Sequence, residues 1–284
     1  MKLVLTPQTL PDVESANVIA DIKGSEHPEQ VVIVSGHLDS WDLGTGAIDD
    51  GAGVAVSMEA ANLIQKLRLK PKRTIRVIAW MNEENGEAGS KQYAKDHEKE
   101  ISNHFAAMET DGGAGHPIGV NIKANPEVKK MFAPVANILQ ESGAGILDLV
   151  EHCGADIEPL EKAGVPAFSP IQDSRFYFNY HHTAADTLDK NCAERIGGKF
   201  CCGGGGRVCA GEHGKAIASL TVATGQRDAV RHLRSVSDGD DGHRASGYSG
   251  SLQLRFKLRA SLSTKFASRR PRLRTNRHGP ASTK

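Results

Sequence analysis

The stretch that most constrains this chain is residues 74–80, TIRVIAW, which is almost wholly apolar or β-branched. A run this short and this apolar reads as a strand that needs cover on both faces. Cover is available on either side. Residues 53–67 place Val54, Ala55, Met58, Ala61, Leu63 and Ile64 at helical spacing and run into the basic stretch 66–73, which suits a helix C-terminus. A helix is expected at about 90–97 and a strand at about 105–108. A second long amphipathic helix is expected at 125–141, with Pro126 in its first turn, where a missing N–H costs little. Residues 18–22 and 31–35 read as neighbouring strands joined by the polar turn 24–29. Strands alternating with helices predict an α/β fold: three α/β/α layers about a mixed, mostly parallel sheet over residues 1–190.

Beyond residue 190 the pattern stops. Residues 1–190 hold 17 Lys+Arg against 28 Asp+Glu, whereas residues 191–284 hold 18 against 6, so the overall charge of +1 conceals an acidic domain and a basic tail. In the 94 tail residues Ile, Leu, Val and Phe number 16, too few to bury a core against that charge. The tail, 191–284, is therefore expected to be a disordered Gly/Arg/Ser-rich segment, and the abrupt change at Asn191 reads as a shift of reading frame. A nucleic-acid-binding tail is the rival, but it has one tyrosine, Tyr248, no Trp and no RNA-binding signature. Cys192, Cys201, Cys202 and Cys209 with His213 lack the paired spacing of a zinc knuckle. No run of eighteen apolar residues occurs and the start turns polar after five residues, so neither a membrane span nor a complete signal peptide is expected.

The chemistry gathers at the ends of the expected strands, where α/β sheets place their ligand sites. His37 and Asp39 close the strand 31–35; there, His37 would bind a metal through one ring nitrogen while Asp39 accepts from the other. Asp49 and Asp50 lie in a small-residue loop leading into a helix, which an N-cap alone would explain for Asp50. Glu83 and Glu84 follow the strand 74–80, Glu109 and Asp111 the next one, and His181 and His182 an aromatic run at 176–180. Histidines and several carboxylates at successive strand ends suit zinc, with cobalt or manganese as alternatives.

In order and spacing, SGHLDSWDLGTGAIDDGAG, WMNEENGEAGS, METDGG and YHHTAADTLDK resemble the family of co-catalytic dizinc exopeptidases that includes bacterial leucyl aminopeptidases and glutamate carboxypeptidase. The resemblance covers residues 1–190. It implies two zinc ions per chain, hydrolysis of terminal peptide bonds in short peptides, and a secreted or periplasmic location for a full-length member. By position, His37 and Asp111 would hold one zinc, Glu84 and His182 the other, and Asp49 both, with Glu83 as general base and Asp39 behind the ligands. His182 is preferred to His181 because it fits the family's His-x-x-x-Asp/Glu-Thr spacing through Asp186 and Thr187. His181 then contacts substrate or oxyanion, or is structural. Tyr177 and Tyr180, in the aromatic run, are candidates for a substrate pocket, against a reading of that run as a buried strand. The family also tends to a strained peptide bond after the bridging aspartate, here Asp49–Asp50. Two departures stand out: the segment and insert that precede residue 1 in the nearest members are missing, and the helix expected after residue 190 is replaced by the tail. A catalytically impaired, metal-binding remnant is thus the competing reading, and a homodimer is left open.

Overall fold

The computed structural model describes residues 4, 6, 10–41, 43–191 and 266–268. The elements in chain order are β1 (Val13–Ser15), β2 (Val18–Ile22), β3 (His27–His37), α1 (Ala52–Lys66), β4 (Arg73–Trp80), α2 (Ala88–Asp96), β5 (His104–Glu109), β6 (Pro117–Lys123), α3 (Pro126–Leu139), β7 (Ile146–Leu149), α4 (Glu158–Lys162), β8 (Ala167–Gln172) and β9 (Phe266–Ser268). Seven strands form one sheet in the order β2-β4-β3-β5-β8-β6-β7. The β2–β4 and β6–β8 pairs are antiparallel and the other four are parallel, so the sheet is mixed and mostly parallel.

Alternation along β3 shows why its apolar run is continuous. Val32 and Val34 pack with Val56, Ala60 and Ile64 of α1 and Phe132, Val135 and Leu139 of α3 on one face. Val31 and Ile33 pack with Tyr93 of α2 and Leu160 of α4 on the other. Successive side chains of a strand point to opposite faces, so a strand covered twice has no polar side to show. Asn125 caps α3 by accepting from the Glu127 N–H at 3.0 Å, with Pro126 at the first helical position.

The expectation that residues 18–22 and 31–35 are neighbours is corrected: β4 lies between them. The connection β3-α1-β4 is a parallel crossover, which sets β4 beside β3 and leaves β2 to close the edge. Residues 24–27 cross the start of β4, with Ser25 and Glu26 N–H groups donating to Pro71 and Lys72 carbonyls at 2.9 and 3.1 Å. A Cβ on Gly24 would lie 2.6 Å from the Lys72 carbonyl oxygen, so only glycine permits that passage. Strands β6 and β7 carry no clear sequence mark, because Pro117, Gly119 and Asp148 interrupt their apolar residues. The aromatic run is also corrected. It is a short helical turn at Tyr177–Asn179, not a strand, and Phe176 and Phe178 are exposed.

Of the tail, only Asn191 and β9 are described, and β9 pairs antiparallel with β1. The expectations of disorder, of a shifted reading frame and of a nucleic-acid-binding tail, and the cysteine group with His213, otherwise lie outside the described residues. Among the described residues no helix is long and apolar enough to cross a membrane.

Candidate metal centre

The parallel strands β3, β4 and β5 end on one edge of the sheet. His37 is the last residue of β3 and is 1% exposed. Its Nδ1–H donates to the main-chain carbonyl of Asp39 at 2.9 Å, and its Nε2 points at Asp49 Oδ1, 3.1 Å away, and at Asp111 Oδ1, 3.6 Å away. A carbonyl only accepts, so Nδ1 keeps its proton and Nε2 is the atom that meets the carboxylates. Burial alone would push the imidazole down, but Asp111, Asp49 and Asp50 hold its acid form far above the ordinary value. The site therefore favours positive charge at Nε2.

The expected role of Asp39 is corrected by this geometry. Its carboxylate stands 4.0 Å from His37 Nδ1 and accepts instead from the Glu83 N–H at 3.0 Å and the Glu84 N–H at 3.3 Å. It holds the turn that presents the two glutamates, and the shorter reach of the carbonyl takes the imidazole.

Asp49 is buried in the turn Ala47–Gly51 that leads into α1, and the Asp49–Asp50 peptide is cis. Its Oδ1 faces His37, while its Oδ2 lies 3.2 Å from His182 Nε2 and 3.4 Å from His181 Nε2. Glu84 Oε2 is 2.9 Å from His182 Nε2. Two sets of ligand atoms result, His37 with Asp49 and Asp111, and Asp49 with His181 and His182, with Asp49 common to both. Glu84 joins the second set through His182 alone. The two imidazoles stack 3.6 Å apart and Trp41 leans on His182.

Asp50 does more than cap. It accepts from the Gly53 N–H in the first turn of α1 and from the His37 N–H, both at 3.0 Å, tying the helix start to the end of β3. Gly36 and Gly53 leave it that space, since a Cβ on either would fall about 2.4 Å from an Asp50 oxygen. Asp156 and Glu109 lie buried beneath, and of the two only Glu109 is marked in the sequence. Glu109 Oε2 accepts from the Ile157 N–H at 2.9 Å; burial and the Asp156 charge keep Glu109 well above the usual carboxylate range, and burial with the Glu83 charge does the same for Asp156.

Glu83 makes no ion pair within 4 Å among the described residues. Burial, against the pull of His37, pushes its carboxyl up to about 7. Burial and the Asp49 charge push Glu84 up to about 8. Tyr177 sets its ring 4.9 Å from that of His181, whereas Tyr180 is half-buried in the turn before the histidines and accepts from Thr183 through its carbonyl. A cavity of about 540 Å³ lined by Lys123, Val128, Leu149 and Glu161 lies at the far end of β6, away from all of these groups.

The donor set fits a divalent cation. Asp49 Oδ2, Glu84 Oε1 and Asp111 Oδ1 are buried with no hydrogen-bond partner, and gathered carboxylates without partners are costly unless a cation neutralises them. Mixed imidazole and carboxylate donors are those that zinc takes.

Residues 17–197 match the model of Peptidase family M28. Carboxypeptidase Q of Xenopus laevis is 46% identical over 179 residues, which cover 63% of this chain and 38% of that one. The crystal structure of a peptidase M28 precursor from Shewanella amazonensis superposes with a TM-score of 0.64 at 37% identity, over 74% of this chain and 45% of that one. An aminopeptidase from Aneurinibacillus sp. strain AM-1 gives 0.54 at 27%, over 73% and 46%. The chain thus spans less than half the length of each of these three relatives. With the matched segment covering well over half of the chain and both the sheet and the ligand groups falling inside it, the chain belongs to Peptidase family M28.

Proposed function

We propose that this chain is a zinc-dependent exopeptidase that hydrolyses terminal peptide bonds of short peptides at a dinuclear centre. One observation carries the dinuclear reading: Asp49 presents one oxygen to His37 and the other to the histidine pair, so a single carboxylate serves two ligand groups. His37 and Asp111 would hold one zinc, Glu84 and His182 the other, and Asp49 both. His182 is preferred because Glu84 meets it and not His181. When bound, a zinc pair polarises the scissile carbonyl and lowers the pKa of its water to about 7.

Glu83 supplies the base. It stands beside the ligands without pairing to any of them, and a carboxyl pushed up to about 7 both accepts and returns a proton near neutral pH. Its carboxylate takes the proton of the attacking water and hands it to the leaving amine. Asp39 keeps Glu83 and Glu84 in register by holding their N–H groups. His181 and Tyr177, beside Asp49 and each other, are contacts for substrate, and Tyr180 is a further candidate.

The test is turnover of dipeptides and aminoacyl arylamides by the full chain, abolished by chelator and restored by zinc, together with a zinc count. Two equivalents and restored turnover support the reading. One equivalent at saturation removes the dinuclear assignment, and tight binding of two without turnover identifies the chain as a metal-binding remnant.

A further inference from the structure

The two ligand groups come from segments far apart in the chain, and one buried residue joins them. Asp186 is 4% exposed and lies four residues beyond His182. Its Oδ1 accepts from the Ile48 N–H at 2.6 Å and its Oδ2 from the Asp49 N–H at 3.1 Å. Its main-chain carbonyl accepts from the Thr45 N–H at 2.7 Å and the Thr45 hydroxyl at 3.0 Å. Gly44 completes the joint, since a Cβ there would lie 2.7 Å from the Thr183 carbonyl oxygen and 2.9 Å from that of Asp186. Four hydrogen bonds from residues 45–49, two of them to a charged acceptor and so of the strong kind, converge on a single side chain and its carbonyl.

The device recurs around the centre. Asp39 accepts the N–H groups of Glu83 and Glu84, and Asp50 those of His37 and Gly53. In each case a carboxylate holds two main-chain N–H groups, at least one of them at a turn or strand end that carries a candidate ligand. Asp186 differs in what it joins: it holds the peptide of Asp49 from the segment that bears His181 and His182.

We propose that Asp186 is a positioning residue for the centre, fixing the separation between Asp49 and His182 so that the ion on the Glu84–His182 side meets ligands already in place. This rests on the dinuclear reading above. Substituting Asp186→Asn retains the shape, the carbonyl bonds to Thr45 and one acceptor oxygen, but turns an amide donor toward a main-chain N–H, so the defect is local. Groups that orient ligands from behind are typically worth roughly 10–100-fold in metal affinity.

The experiment is stepwise titration of metal-free full-length chain with cobalt(II), read by its visible ligand-field absorption, and with zinc by chelator competition. Ile122→Val, a core change in β6 away from the site, serves as the reference for general loss of stability. In Asp186→Asn the expected result is a first equivalent bound as in the wild type and a second weakened roughly 10–100-fold with an altered cobalt spectrum, while Ile122→Val titrates like the wild type. Wild-type affinity and spectrum in Asp186→Asn would overturn the inference alone. So would equal weakening of both equivalents, a loss matched by Ile122→Val, or a variant unfolded at every metal concentration, because the residue would then act on folding and not on the site. A wild-type chain that takes up fewer than two equivalents overturns the dinuclear reading and the inference with it.

Discussion

Glu83 and Glu84 are adjacent and partly buried in the same turn, and the same isosteric change at each should give opposite phenotypes. Glu84 places Oε2 2.9 Å from His182 Nε2 and leaves Oε1 buried without a hydrogen-bond partner, as the proposed ligand role requires. With zinc at about 1,000 times the dissociation constant, binding contributes about 4.1 kcal/mol to folding stability. If Glu84→Gln weakens that site roughly 100-fold, the contribution falls to about 1.4 kcal/mol, a loss of about 2.7 kcal/mol. For a domain of about 150–250 residues each kcal/mol moves Tm by roughly 2–4 °C, so the zinc-loaded variant should melt about 5–11 °C lower. In chelator the sign changes. There the Glu84 charge is opposed by burial and by Asp49, so removing it leaves Tm equal or higher. Glu83→Gln should keep the zinc-loaded Tm and both metal equivalents while lowering kcat by roughly 10²–10⁴. Paired melting curves with zinc and with chelator, plus turnover, read all of this. A Glu84→Gln chain with undiminished zinc stabilisation, or a Glu83→Gln chain that loses zinc, would refute the division of roles.

Three further outcomes are expected. Asp39→Asn leaves one of the two N–H groups of the Glu83–Glu84 turn facing an amide donor, so zinc affinity by chelator competition should fall roughly 10–100-fold; unchanged affinity would show that the turn holds itself. Gly53→Ala puts a methyl 1.9 Å from the Thr110 carbonyl oxygen, and overpacking of roughly 1–3 kcal/mol should exceed the gain of about 1 kcal/mol in helix propensity; a Tm above that of the wild type counts against the packing described. For Asp156, burial raises the folded-state pKa, so its contribution to stability is present below the ordinary carboxylate range and is lost as pH rises through the raised value. In chelator, Asp156→Asn should therefore match the wild type in Tm at pH 4 and exceed it at pH 8, and parallel curves across that range would contradict the assignment.

What the sequence determined was local or periodic. The strand at 74–80, the helix after Asp50 and the helix begun by Pro126 were legible because each depends on the spacing of neighbouring residues and on backbone groups a few positions away. The candidate ligands of the proposed centre were legible for the same reason: His37, Glu83, Glu84 and Asp111 sit just past apolar strands, Asp49 in a small-residue loop before a helix, and the histidine pair after an aromatic run. Tertiary structure decided whatever depends on which distant groups meet. It set β4 between β2 and β3, because a crossover helix needs the adjacent parallel position. It gave the His37 imidazole to the Asp39 carbonyl and the Asp39 carboxylate to another turn, a choice between oxygens of one residue that no spacing encodes. It brought both histidines to one oxygen of Asp49, and it closed the loop around that aspartate with Asp186, a hydrogen bond spanning 137 residues. A buried N–H must find an acceptor somewhere, but the chain folds in three dimensions before that somewhere is named.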